Sequence, residues 1–167
     1  MASLPFPAPN SPVNGRDAVY VAALPLRATK GPAQMLMTAA YSLNFWDLQH
    51  YLVIIRPSSP HSQAFAFDFQ PQDPESLYVA LAAISRRPVP GVVLVRKLGK
   101  LPKRRCWFIG FSNKDGIDMA YKFNENWRTD LSIGENDCRN YTNGLVEYLT
   151  GEHNVLEHLR ERSDDWI

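Results

Sequence analysis

The sequence predicts a single α+β domain, a mostly antiparallel sheet packed against helices. Three observations carry that class. The run from Gln49 to Arg56 (QHYLVIIR) is apolar on both faces, as a central strand is. Pro57 to Ser62 then forms a turn of the length that joins antiparallel strands, and Ala64 to Gln70 alternates cleanly beyond it. Phe65, Phe67 and Phe69 face one way there, and Ala64, Ala66, Asp68 and Gln70 the other. Asn136 to Gly151 instead repeats at helical period, with Cys138, Tyr141, Thr142, Leu145, Val146 and Leu149 on one face. A chain of 167 residues suits one well-buried core and is short for two.

In chain order, residues 1–17 read as a disordered tail rich in proline and small residues, and residues 18–162 as the domain. Ala18 to Leu24 is a strand ended by Pro25, and Pro32 suits the first turn of a short helix over 33–43. Asp73-Pro74-Glu75 has the cap, proline and early acid of a helix start, continued to Arg87 and stopped by Pro88 and Pro90. Val92 to Val95 and Cys106 to Phe111 are strands. The segment between them, Arg96 to Arg105, reads as a hairpin tip with six basic residues in ten: Arg96, Lys97, Lys100, Lys103, Arg104 and Arg105. Helices follow at 117–126, at the cysteine-bearing stretch and at 152–162. An acidic end, 163–167, closes the chain.

Composition excludes several classes of function. A hydrophobic share of 45% with 21% charged residues describes an ordinary globular domain. The net charge of +1 gives no bulk attraction for polyanions, so nucleic acid is not an expected partner. No apolar run reaches the roughly 20 residues of a membrane helix, so no transmembrane segment is expected. Cys106 and Cys138 make neither a disulfide framework nor a metal-ligand spacing, and no phosphate-cradling glycine loop occurs. The reading is therefore no metal, no cofactor and a reducing compartment, cytoplasmic or nuclear ahead of chloroplast.

Chemistry concentrates at the helix that begins near Cys138. Asn136 or Asp137 is its N-cap and Gly151 lies just past its end. A cysteine in the first turn meets unsatisfied backbone N–H groups and the positive end of the helix dipole, which favour a thiolate. It needs a base, and His50, near the start of the most apolar strand, is the candidate. Each residue also has a plain structural reading: Cys138 as a small core hydrophobe, His50 as a structural histidine, Asp68 as a solvent-facing strand residue. Cys106 reads as packing. The basic segment reads as a solvated surface, or else as a docking site for an acidic protein partner, a nucleic acid or a nuclear import receptor.

The order of these parts resembles the circularly permuted papain-like folds. The stretch Asn136-Asp137-Cys138-Arg139-Asn140-Tyr141-Thr142-Asn143, with Leu149-Thr150-Gly151 after it, is similar to the cysteine helix of the PPPDE thiol peptidases, the desumoylating isopeptidases. It is more distantly similar to that of lecithin-retinol acyltransferase-like proteins. His50 to Ile55 resembles the family's histidine strand, and Phe67-Asp68-Phe69-Gln70-Pro71 lies where a residue orienting the histidine would fall. The resemblance covers roughly 49–151. It implies Cys138 as nucleophile, His50 as base, Asp68 as orienting residue, with the Cys138 N–H and Gln49 as oxyanion donors. It departs from the families at Asp137, which stands between Asn136 and Cys138 where they have the two adjacent. A carboxylate there would oppose the thiolate. The implied activity is acyl hydrolysis on a protein substrate, isopeptidase-like or on a thioester. The alternative is an inactive papain-like module binding an acidic protein through the basic hairpin.

Overall fold

Alternation in the apolar runs builds a six-stranded sheet. The computed structural model describes residues 15–25, 49–73, 76, 81–82, 85–113 and 115–164. The strands are β1 Ala18–Pro25, β2 Gln49–Arg56, β3 Ala64–Pro71, β4 Val89–Leu98, β5 Cys106–Phe111 and β6 Asp130–Leu131. The helices are α1 Gly116–Glu125, α2 Cys138–Thr150 and α3 Val155–Asp164. Strand order is β5-β1-β2-β3-β4-β6, and every neighbouring pair is antiparallel. β2, apolar on both faces, lies inside the sheet between β1 and β3. The helix expected over 33–43 lies outside the described residues, as does most of the one expected over 73–87.

The two faces of the sheet bury different layers. Val19, Val21, Val53, Ile55, Phe67, Phe69 and Ile109 meet Ala120 of α1, Tyr141, Leu145, Val146 and Leu149 of α2, and Val155, Leu156 and Leu159 of α3. The face of α2 read from its period is the face it buries. Phe69, Tyr141, Phe123 and Trp127 form the aromatic centre of this layer, with ring centroids 5.3–6.0 Å apart. On the opposite face Tyr20, Ala22, Leu52, Ile54, Ala64 and Ala66 form a second buried cluster, joined by Leu98, Leu101, Cys106 and Phe108. Cys106 is thus a packing residue, and burial pushes its thiol up.

One expected element is wrong. Arg96 to Arg105 is not a hairpin tip, because β4 and β5 are not neighbours: β3, β2 and β1 lie between them. β4 is also longer than Val92 to Val95, since β3 pairs it residue by residue from Ala64↔Leu98 to Pro71↔Gly91. Arg96 and Lys97 therefore belong to the strand. Residues 99–105 form a link between separated strands, held by Leu101 in the second cluster and by the Ala23 N–H donating to the Arg105 carbonyl at 2.9 Å. Short connections and hairpins look alike in one dimension, and only the partners of each strand separate them. Gly91 meets a local demand, since a Cβ there would lie 2.7 Å from the Phe69 ring and 2.9 Å from the Thr129 carbonyl.

Asp17 ties the ends of several elements together. It is buried, with Oδ1 accepting from the Ser58 N–H at 3.0 Å and Oδ2 from the Gly116 N–H at 2.8 Å. Its carbonyl accepts from the Ser112 N–H at 2.9 Å. The carboxylate so placed joins the start of β1, the β2–β3 turn and the N-terminus of α1, where the helix dipole favours it. Asp17→Ala leaves two N–H groups without their acceptor. It is expected to cost about 3 kcal/mol in urea unfolding, whereas Arg16→Ala, an exposed neighbour, should cost under about 0.5 kcal/mol.

Candidate functional site

The site is assembled from the loop that delivers α2. Asn136 is buried and its amide donates to the Arg128 and Asp130 carbonyls at 3.1 and 2.7 Å. The Ser132 N–H donates to the Asn136 carbonyl at 3.0 Å, and Gly134 takes a φ of +85° within that turn. Asn136 is therefore a latch inside the loop, and Asp137 is the N-cap. Asp137 Oδ1 accepts from the N–H groups of Arg139 at 2.8 Å and Asn140 at 3.4 Å, and Oδ2 accepts from Gly134 N–H at 2.8 Å. The Asn140 side chain accepts the Asp137 N–H at 3.0 Å, completing a capping box. Gly151, at φ +82°, ends the helix by donating to the Glu147 carbonyl at 2.8 Å.

This cap accounts for the N–H groups on either side of Cys138 and of the residue after Arg139. The Cys138 N–H itself has no acceptor among the described residues. Both oxygens of Asp137 are engaged with backbone donors, which is the helix-start use of a carboxylate.

His50, the second residue of β2, pairs across the strands with Leu24 of β1. Its side chain is 13% exposed, and its Nε2 bonds Oδ1 of Asp68, itself 3% exposed. Cys138 lies close enough to the same ring for its thiol to help raise the His50 pKa. The structure thus joins His50 and Asp68 by a hydrogen bond, with Cys138 near enough to the ring to act on its charge. Asp68 lies away from the phenylalanines but is not solvent-facing, because that side of the sheet is covered too.

Burial of His50 works against its charged form, but the hydrogen bonds from Asp68 and Cys138 and their charges outweigh it. Its pKa rises to about 10. Tyr141, fully buried one turn into α2, has its phenol pushed up by burial; its hydroxyl donates to Asn124 Oδ1 at 2.7 Å.

Arg96 joins the site from β4. Its cross-strand partner is Ala66, and its Nη2 donates to Asp68 Oδ2 at 3.1 Å. Asp68 therefore accepts from two cations. Sequence reasoning missed this role because Arg96 was grouped with its basic neighbours by proximity. The signal was available in alternation: once β4 extends to Leu98, Arg96 falls on the face of Leu94 and Leu98, and Lys97 on the other. Lys97 instead holds its ammonium 6.0 Å from the centroid of the Phe65 ring. Lys100, Lys103, Arg104 and Arg105 are exposed on the link. Arg96 and Lys97 thus lie on opposite faces of β4, and the hairpin expected to carry the six basic residues is corrected to a strand end and a link. Gln49 accepts the Tyr51 hydroxyl on its Oε1 at 3.1 Å, which leaves its amide nitrogen as a donor.

Among the described residues no group of three or more His, Cys, Asp or Glu could hold a metal ion, and no helix is long and apolar enough to cross a membrane. His61, His153 and His158 are exposed, His153 pairing with Glu147 at 3.0 Å. No protein-family model, no curated protein and no solved structure shows significant similarity to the chain.

Two outcomes test this geometry. The raised pKa of His50 means the folded state holds a proton that the unfolded chain releases near pH 6.5. The stability that His50 contributes is complete below about pH 6.5 and is lost as pH rises toward 10. The difference in urea midpoint between wild type and His50→Gln should shrink across that window; a constant difference contradicts the assignment. For the cap, Asp137→Asn should leave the Cys138 alkylation rate within about twofold, while Asp137→Ala should cost about 1 kcal/mol of stability. A large rise in reactivity for Asp137→Asn would instead mark the carboxylate as acting on the thiol.

Proposed function

We propose that the chain is a cysteine-dependent acyl hydrolase with Cys138 as nucleophile, His50 as its acid–base partner and Asp68 as the residue that orients the ring. The observation that supports this most is the His50 ring bonded to the Asp68 carboxylate, with the Cys138 thiol near enough to raise its pKa. A structural histidine needs one partner. This one has a carboxylate on Nε2 and a thiol close enough to act on its charge, the two partners that cysteine–histidine catalysis uses.

The cycle is written from these groups. The Cys138 proton resides on His50, and Sγ adds to the acyl carbon. The carbonyl π bond becomes an oxyanion, with the Cys138 N–H and the Gln49 amide as its donors. The intermediate collapses, the bond to the leaving amine or thiol breaks, and the leaving group takes the His50 proton. Water then attacks the thioester carbon while His50 accepts its proton, and the carboxylic acid leaves as the thiol re-forms. Asp68 keeps the ring in one orientation throughout, and Arg96 holds the second oxygen of Asp68. An isopeptide or thioester on a protein is the proposed substrate class, from the resemblance of the Cys138 helix to that of the thiol isopeptidases.

The test uses a fluorogenic thioester and an isopeptide-linked peptide. Cys138→Ala is expected to abolish turnover with the urea midpoint little changed, and His50→Gln to reduce it by at least about a hundredfold. Cys106→Ala should stay within about twofold, since Cys106 is a packing residue of β5. Equal losses from the two cysteine substitutions would refute the assignment.

A further inference from the structure

The far end of β2 carries a second feature that the acyl-transfer chemistry does not use. Two adjoining cavities, of about 270 and 530 Å³, share Arg56 and Pro60 as common wall. The first is lined by Arg16, Arg56, Ser58 and Ser59 over Tyr20, Phe108 and Phe111; the second by Arg56, His61, Ser62, Gln63 and Lys100. No carboxylate lines either one. Asp17, next in sequence to Arg16, is turned inward, with both oxygens accepting from backbone N–H groups. Arg16, Arg56 and Lys100 are exposed, and none of them has an ion-pair partner among the described residues.

We propose that this groove binds an extended acidic peptide segment of a protein partner. Three cations without ion-pair partners around two adjoining cavities, with hydroxyl and amide side chains between them, complement carboxylates placed at intervals. The floor argues for a peptide over a nucleic acid. Tyr20–Phe108 and Phe108–Phe111 meet edge-on, at interplanar angles of 66° in both pairs, so the rings pack on one another instead of forming a platform for successive bases. They offer an apolar seat for one side chain of the segment. Arg56 and His50 stand at opposite ends of β2, six residues apart, which is about 20 Å of strand. The groove is thus separate from the Cys138 site, and its occupancy does not depend on the hydrolase reading.

Fluorescence anisotropy tests it, with a short fluorescein-labelled peptide of glutamates around one phenylalanine and its glutamine counterpart as control. Saturable binding of the glutamate peptide, weakened by salt, is expected. Arg56→Glu with Lys100→Glu should weaken it at least about tenfold, and Arg56→Gln by less. Lys103→Glu with Arg104→Glu, outside the groove, should leave it within about twofold, as should Cys138→Ala. Unsaturable binding, equal weakening by both charge-reversal pairs, or displacement by inorganic phosphate or a single-stranded oligonucleotide at the peptide's own concentration would overturn the proposal. A urea midpoint for each variant confirms that it is folded, and Arg56→Gln carries the test should the double reversal unfold.

Discussion

The seating of α2 on the sheet is the contact on which the rest depends. Tyr141, Leu145, Val146 and Leu149 are each fully buried there, and at about 1.5–3 kcal/mol per large apolar side chain this stripe outweighs every polar contact of the helix. It fixes the axis of α2, and the axis fixes where the first residue lies. The capping box then sets the exit angle of the chain from the preceding loop. The first residue, Cys138, then lies close enough to His50 to act on the charge of its ring. The thiol makes no comparable contribution to the packing.

Asp68 is the second constraint. A carboxylate 3% exposed is costly unless each oxygen is met by a donor, and here the His50 ring meets one and Arg96 the other. Arg96 is half exposed, so its pairing is worth little as a surface salt bridge. Its effect is positional, since an Asp68 fixed at Oδ2 has one oxygen left to hold His50. Breaking the pair from the Asp68 side is the larger change, because it leaves a buried ring without its acceptor.

β2 links the two candidate functional regions. Its first residues carry Gln49 and His50, its middle residues Val53, Ile54 and Ile55 are wholly buried, and its last, Arg56, is exposed in the groove wall. A strand buried on both faces along its centre can expose chemistry only at its ends. The separation between a candidate nucleophile at one end and cationic cavities at the other follows from that burial.

The sequence by itself determined the local structure. Period fixed α2 and its buried face, alternation fixed β3 and the side on which Asp68 lies, and first-turn chemistry marked Cys138, because each depends on neighbours within a few residues. The choice between Asn136 and Asp137 as cap was open, since both side chains accept N–H groups equally well. The loop decided it by using Asn136 on the Arg128 and Asp130 carbonyls. Tertiary structure alone decided strand order, and with it the fate of the basic segment. Nothing between Leu98 and Cys106 distinguishes a hairpin from a link across three strands, because the difference lies in hydrogen bonds to β3 and β1, far away in the chain. For the same reason Arg96 left its basic neighbours for Asp68, and Arg16, Arg56 and Lys100, scattered in sequence, came to line two adjoining cavities.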